Sequence, residues 1–318
     1  MLDGGNWMKE RKQQVRARFA KRFEHKLQCP LCKQAVEVMD LRHLVCVNGH
    51  TFDFAKQGYI HLMTAAHHTK YNKDLFESRR NLMGRTAFFD QVCENIVQVI
   101  ADGRFTSPIT ILDAGCGEGS HLQHIGQLLR EDKQLDVACF GMDIAKEGIL
   151  SAAKQEGDAF WAVADLANVP FQSDALDVVL NILSPSNYRE FNRLLKQDGL
   201  LLKVVPQHGY LREIRELVYQ GSDKQTYSND QTIARFDENF QLIERIRLTY
   251  PIHLNKEAQA WLLEMTPLTW SLDSDSRQHI IEQDMSTITI DVEILVGRKK
   301  QGVARTSLAK PDTALQEP

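Results

Sequence analysis

The chain contains no long apolar run. Its longest stretch free of Asp, Glu, Lys and Arg is 13 residues, 57–69, whereas a membrane-crossing helix needs about 18 or more mostly apolar positions. That excludes a spanning helix. The start, MLDGGNWMKERKQQVRARFAKRFEHK, also lacks the apolar core that a secretory signal places behind its basic residues, and the expectation is a cytoplasmic protein with no membrane partner. A large charge excess is missing too, since 38 Lys+Arg against 42 Asp+Glu in 318 residues give a formal charge of −4. What is present, 43% hydrophobic and 25% charged residues, excludes disorder over most of the chain. The length suits about two domains and a sizeable core.

The balanced total hides a regional asymmetry. Residues 1–90 carry 16 Lys/Arg and 9 Asp/Glu, a net +7, which leaves 22 against 33, a net −11, for residues 91–318. A polyanion senses local patches and not the sum, so the basic third suits nucleic acid. The run Lys9, Arg11, Lys12, Arg16, Arg18, Lys21 and Arg22 reads equally well as a solvated helix face or a disordered arm.

Cysteine is scarce, six in all, yet three of them are grouped. Cys29-Pro-Leu-Cys32 and Cys46-Val-Asn-Gly-His50 bracket 13 intervening residues. Two short-spaced ligand pairs on tight turns, one strand apart, complete a tetrahedron of sulfur and nitrogen that suits zinc. Asn48-Gly49 supplies a residue able to take positive φ inside the second turn. His43, His61, His67 and His68 are rival fourth ligands, and His50 is preferred on its spacing from Cys46. So small a module suits a closed, structural site. Cys93, Cys116 and Cys139 are scattered singly through apolar segments and read as packing.

From residue 109 the chain reads ITILDAGCGEGSHL, an apolar strand ending at Asp113, glycines 115, 117 and 119, then a helix. Such a loop lets backbone N–H groups approach a ligand closely at a helix N-terminus. A second apolar run, LDVACFGMDI, closes on Asp143, placed to hold a ribose diol. DAFWAVAD forms a third run ending in Asp165, followed by DALDVVLNIL and KQDGLLLKVVP. This βα alternation predicts a doubly wound α/β sheet, mostly parallel, with its ligand at the carboxyl ends of the strands. Asp165 reads alternatively as a loop or helix cap. FQLIERIRLTYPIHL and ITIDVEILVGRK, flanking the helix EAQAWLLEM, predict a C-terminal antiparallel pair. Met265, Trp261 and Trp270 near that helix's end read as core or as a lid.

The dinucleotide fingerprint wants glycine at the sixth position of the loop, and Ser120 stands there. The alternating D-x-G-x-G-x-G with acids ending the second and third strands instead resembles the S-adenosylmethionine site of Rossmann-like class I methyltransferases. By that resemblance Gly115, Gly117, Glu118 and Gly119 lie along the cofactor's amino acid part, Asp143 on its ribose and Asp165 on its adenine. The two halves in this order, through CPLC, CVNGHTFDFAKQGYIHL, LDAGCGEG, LNILSPSNYREFNRLLKQDGLLLKVVP and LLEMTPLTW, resemble the RlmA/TlrB-type 23S rRNA (guanine-N1) methyltransferases over residues 27–299.

The resemblance implies methyl transfer from S-adenosylmethionine to N1 of a guanine in a domain II hairpin loop of 23S rRNA, with a small β-rich zinc-binding module aiding recognition. It implies Cys29, Cys32, Cys46 and His50 on zinc. It also gives Phe89, in GRTAFFDQV, the role of an aromatic near the cofactor, and brings Tyr210 or His208 of PQHGYLREI over it. Phe88, Val92, Ile96 and Val99 share helical spacing, so the two phenylalanines read as core as well. The domains expected are a basic extension over 1–26, the zinc module over 27–65, the methyltransferase domain over 66–300 and a disordered tail over 301–318. The extension is longer than the family usually shows. Asn181, Ser184 and Pro185 follow the fourth strand without the exocyclic-amine signature, and no residue is named as the catalytic base. Two rivals stay open, a small-molecule methyltransferase with a structural zinc and a zinc-dependent RNA-binding adaptor with a vestigial cofactor site. Oligomeric state is open too, a homodimer included.

Overall fold

The computed structural model describes residues 11–65, 67, 69, 71–219, 227–273, 275, 276, 280, 282, 283 and 285–300. Lys9, His68 and the 301–318 tail, to which readings were given above, lie outside the described residues.

Helix α1 (Lys12–Arg22) precedes three short antiparallel strands, β1 (Val36–Met39), β2 (His43–Cys46) and β3 (Thr51–Asp53). Strand β4 (Tyr59–His61) then leads into α2 (Lys73–Arg85) and α3 (Asp90–Ala101). The βα alternation follows as β5 (Ile109–Ala114), α4 (Ser120–Glu131), β6 (Val137–Asp143), α5 (Lys146–Lys154), β7 (Ala159–Val163), β8 (Leu176–Ile182), α6 (Tyr188–Leu194) and β9 (Leu195–Pro206). Helices α7 (Arg212–Val218) and α8 (Asp230–Asn239), strand β10 (Phe240–His253), helix α9 (Lys256–Met265) and strand β11 (Thr287–Lys299) complete the chain.

Eight strands form one sheet in the order β10-β11-β9-β8-β5-β6-β7-β4. The ladders from β9 to β4 are parallel and those of β11 to β9 and to β10 antiparallel. All residues of β5, β7 and β8 are buried, because helices cover both faces and a parallel strand then reads as a continuous apolar run. β10, the edge strand, alternates exposed and half-buried positions over much of its length. The two faces of the sheet carry separate cores, and the second of these also encloses Phe54, Ile60 and Leu62 from the N-terminal third. Strand β4, on the N-terminal side of residue 65, is hydrogen-bonded parallel to β7 through Tyr59–Trp161, Ile60–Ala162 and His61–Val163.

Between a solvated helix face and a disordered arm, α1 takes neither form throughout. Ala17, Phe19, Ala20 and Phe23 are buried, and the rings of Phe19 and Phe23 lie 5.5 and 5.6 Å from Phe140 of β6. Arg16 is only 3% exposed and donates to the carbonyl oxygens of Gln155 at 3.1 Å, Ala159 at 3.0 Å and Gly157. Those carbonyls end α5 and start β7, where unpaired acceptors favour a cation. Part of the basic run therefore fastens the chain to itself.

Candidate functional site

Cys29, Cys32, Cys46 and His50 converge, with one potential ligand atom from each within 4.8 Å of all the others. Cys32 Sγ is 3.4 Å from Cys46 Sγ, and His50 Nδ1 is 3.5 Å from both Cys29 Sγ and Cys46 Sγ. Tetrahedral zinc with bonds of about 2.0–2.3 Å needs ligand atoms roughly 3.5–3.8 Å apart, so the spacing fits. The backbone N–H of Asn48 donates to Cys46 Sγ at 3.2 Å, and Gly49 takes φ +82° in open space, which is the turn that Asn48-Gly49 predicts. Bonding from the Gln34 backbone N–H lowers the Cys32 thiol to about 6, against some burial. Of the rival ligands, His43 pairs with Asp53 at 2.6 Å and His61 lies on β4 in the large sheet. Among the described residues His67 is not in the cluster.

The second constellation sits at the carboxyl ends of β5 and β6. Gly115 has φ +87°, and a Cβ there would fall 1.9 Å from Ser184 Oγ in the loop after β8. A Cβ on Gly119, at φ +81°, would meet the Trp161 ring at 2.5 Å. The loop is thus glycine-rich for close approach to a neighbouring strand end and to the packed ring. Asp143, the last residue of β6, accepts from the Gly117 N–H at 2.8 Å through one oxygen and from the Ala145 N–H at 2.7 Å through the other. Burial raises its pKa, and the two backbone bonds oppose that rise. Each carboxylate oxygen keeps a lone pair for a further donor.

Below the loop lies a buried charge cluster. Asp113 and Glu118 are 1% and 0% exposed, and Arg79 of α2 places its Nε 3.2 Å from Glu118 Oε2. Asp113 is pushed up to about 7 by burial, with Arg79 pulling it back and Asp143 and Glu118 pushing it further. Asp113 Oδ1 and both Glu118 oxygens are buried and accept no hydrogen bond within the protein, the Arg79 contact to Glu118 Oε2 being an ion pair without hydrogen-bond geometry. Such acceptors are costly to leave unsatisfied, and they call for a donor-bearing, positively charged ligand. S-adenosylmethionine, with its ammonium, sulfonium and ribose hydroxyls, matches that donor set.

The remaining expected cofactor residues fall differently. Asp165 accepts from the Ala167 N–H at 2.8 Å and so caps its own turn, two residues beyond the end of β7, the alternative that the sequence left open. Phe89 is 3% exposed, stacked on Phe88 at 5.5 Å and 5.0 Å from the ring of His121. It packs at the start of α3 beneath α4, behind the glycine loop. Tyr210 is half-buried, its hydroxyl raised by burial while Arg79 opposes. His208 is 78% exposed and turns to Asp291 at 4.0 Å, so of this pair it is Tyr210 that joins the Arg79 group.

Sequence reasoning missed two features of this site. Arg79 was not singled out, because nothing in its local spacing announces that α2 folds back over the loop. The other is a polar knot under the loop after β8. Asn181 Nδ2 donates to the carbonyl oxygens of Ala114 and Pro185, both at 3.0 Å, and Lys203 Nζ donates to Asn181 Oδ1 at 2.9 Å, Ser186 Oγ at 2.8 Å and the Ser184 carbonyl at 3.2 Å. The sequence marks Asn181 and Ser184 at the end of the fourth strand, whereas Lys203, which joins them, carries no local signal.

A zinc ribbon ahead of a mostly parallel sheet with β5, the first strand of the βα alternation, at its centre and an antiparallel pair at one edge defines a class I S-adenosylmethionine-dependent methyltransferase with an N-terminal metal module. Residues 27–70 match a family described as "RlmA, N-terminal", a zinc ribbon, and residues 111–199 match a methyltransferase domain family. A Bacillus subtilis (strain 168) protein named "Putative 23S rRNA (guanine-N(1)-)-methyltransferase YxjB" is 43% identical over 273 residues, covering 85% of this chain and 96% of the relative. The Streptomyces fradiae 23S rRNA (guanine(748)-N(1))-methyltransferase is 28% identical over 282 residues, 86% of this chain and 96% of its own. Among solved structures, the YcgJ protein of Bacillus subtilis aligns at 18% identity with a TM-score of 0.45, over 67% of this chain and all of its own. The chain belongs to the family of 23S rRNA (guanine-N1) methyltransferases.

Proposed function

We propose that this chain transfers the methyl group of S-adenosylmethionine to N1 of a guanine in a domain II hairpin loop of 23S rRNA, in the cytoplasm. The observation that carries the reading is the 43% identity across 96% of a relative named for guanine-N1 methylation. The buried unsatisfied acceptors of Asp113 and Glu118 disfavour a vestigial cofactor site and so the adaptor reading. The net +7 of residues 1–90 disfavours a small-molecule acceptor. No transmembrane-length apolar helix occurs among the described residues.

The same reading assigns roles to residues. Cys29, Cys32, Cys46 and His50 hold a structural zinc that keeps β1–β3 in place. Gly115, Gly117 and Gly119 let the cofactor's amino acid part lie against the loop, where Glu118 and Asp113 take its ammonium and Arg79 its carboxylate. Asp143 takes the ribose hydroxyls and Asp165, through the carboxylate oxygen that its turn does not use, the adenine edge, while Tyr210 closes the pocket. Phe89 supports the loop from behind through His121. The division at residues 26 and 65 follows the chemistry of the two halves, with β4 stitching the second boundary to the catalytic sheet; the catalytic domain runs to residue 300.

When bound, S-adenosylmethionine supplies an electrophilic methyl group on a sulfonium. The protein's work is to hold the acceptor nitrogen in line with it and to exclude water, and orientation of this kind supplies several kcal/mol. The Asn181–Lys203–Ser186 knot fixes the loop on the acceptor side of the pocket. Guanine N1 carries a proton at neutral pH that has to leave, and the base must be extruded from its hairpin to reach the pocket.

The deciding experiment is transfer of labelled methyl from S-adenosylmethionine to unmodified 23S rRNA or its domain II fragment, followed by primer extension. N1 methylation blocks Watson–Crick pairing, so the expected result is a reverse-transcriptase stop at one hairpin guanine. Cofactor binding without transfer to this RNA would overturn the substrate assignment, and absence of cofactor binding would overturn the enzyme reading.

A further inference from the structure

Trp270, just beyond α9, reads from sequence as core or lid, yet it is 36% exposed. Its ring meets that of Tyr71, itself 41% exposed, at 5.5 Å and 74°, edge to face. Tyr71 lies 6.1 Å from Phe76 of α2, and Phe76 in turn would touch a Cβ on Gly117 at 3.4 Å. A row of rings therefore runs from solvent to the glycine loop. The Tyr71 hydroxyl is raised by burial and by Asp143, with Arg79 opposing. The short helical turn before Trp270 (Pro267–Thr269) packs on α7, the helix that follows Tyr210. Trp270 thus follows a turn that packs against the helix beginning two residues after Tyr210.

The two rings, each more than a third exposed, meet at 74° and so form a corner in which a flat, unstacked base lies on the face of one ring and against the edge of the other. A guanine extruded from a hairpin loses its neighbours on both faces, and aromatic side chains replace them without reading its edge. We propose that Tyr71 and Trp270 form the stacking platform that receives the target guanine of the RNA before methyl transfer. The inference rests on the rRNA guanine-N1 reading above and adds the residues that capture the base. The platform binds base and leaves the cofactor to Arg79, Asp113, Glu118 and Asp143.

The test compares full-length wild type with Trp270→Ala, Tyr71→Ala and Trp270→Phe on the domain II RNA fragment, with S-adenosylmethionine affinity measured by calorimetry on the same samples. Loss of a stacked face raises the KM for RNA by roughly ten- to a hundredfold in the two alanine variants, with a smaller rise in Trp270→Phe, and leaves the cofactor Kd within about twofold of wild type. An unchanged KM for RNA in both alanine variants overturns the platform. So does a cofactor Kd that rises by the same factor as the KM, since the rings would then be a cofactor lid. Wild-type inactivity on this RNA instead sinks the substrate reading, and cofactor binding with transfer to another acceptor identifies that failure separately.

Discussion

At the scale of single residues, the site is governed by burial of charge. Asp113 ionises near 7 in the folded chain and near the ordinary carboxylate value when unfolded. The folded state therefore holds its proton to higher pH, and the cofactor-free protein loses stability as pH rises from about 4 to about 7. A bound ammonium favours the ionised form. We expect S-adenosylmethionine affinity to rise between about pH 6 and about pH 8, with proton release seen by calorimetry in buffers of different ionisation enthalpy, and Asp113→Asn to flatten the profile. Asp143→Ala should weaken cofactor binding about tenfold or more while the sheet stays folded, and an unchanged calorimetric affinity would argue against its assignment to the ribose. Asp113 and Asp143 were legible because each ends an apolar run. Arg79 and the Tyr71–Trp270 contact were not, since partners 39 and 199 positions apart are brought together only by packing of helices.

Elements carry a different set of consequences. The three ribbon strands are three or four residues long, too short to persist without the ligands that join their turns. Cys32→Ala should lose stoichiometric zinc by metal analysis and lose amide protection across β1–β3, while β5–β9 stay protected; full retention of zinc would overturn the ligand set. Helix α1 depends on the arginine threaded between α5 and β7. Arg16→Ala should cost about 1–3 kcal/mol in denaturant unfolding, more than a change at the exposed Lys21. Strand and helix types over the βα alternation were readable from periodicity and glycine placement. The pairing of β4 with β7 was not, because a three-residue strand carries no pattern of its own and its register comes from a ladder across about a hundred residues.

The whole molecule couples a basic N-terminal third to an acidic remainder, and some of that basic charge is spent internally, by Arg16 and by Lys26 on the Ala175 carbonyl at 2.9 Å. Enough stays at the surface for RNA. We expect the logarithm of the RNA association constant to fall linearly with the logarithm of salt concentration, with a slope of about −3 or steeper, each single-strand phosphate contact giving roughly −0.7. Salt-independent binding in a filter assay would favour the small-molecule rival. The two-part organisation was visible in the sequence as two motifs in order, but their physical union was not. The core that joins Phe54 and Ile60 to Phe140 and Phe160 is assembled from residues that each look like ordinary interior positions.

The placement of β4 along β7 also settles what becomes of that side of the sheet. A terminal strand presents a row of unclaimed amides and carbonyls on which a second chain can grow. Here the segment leading out of the ribbon occupies that row, with Ile60 fully buried and paired to Ala162. Severing the chain ahead of residue 66 would leave β7 bare, backed by the apolar surface of Phe160 and Ala162. The catalytic half would then carry an uncovered strand edge open to a further strand, so the segment leading out of the metal module acts as an edge guard for β7.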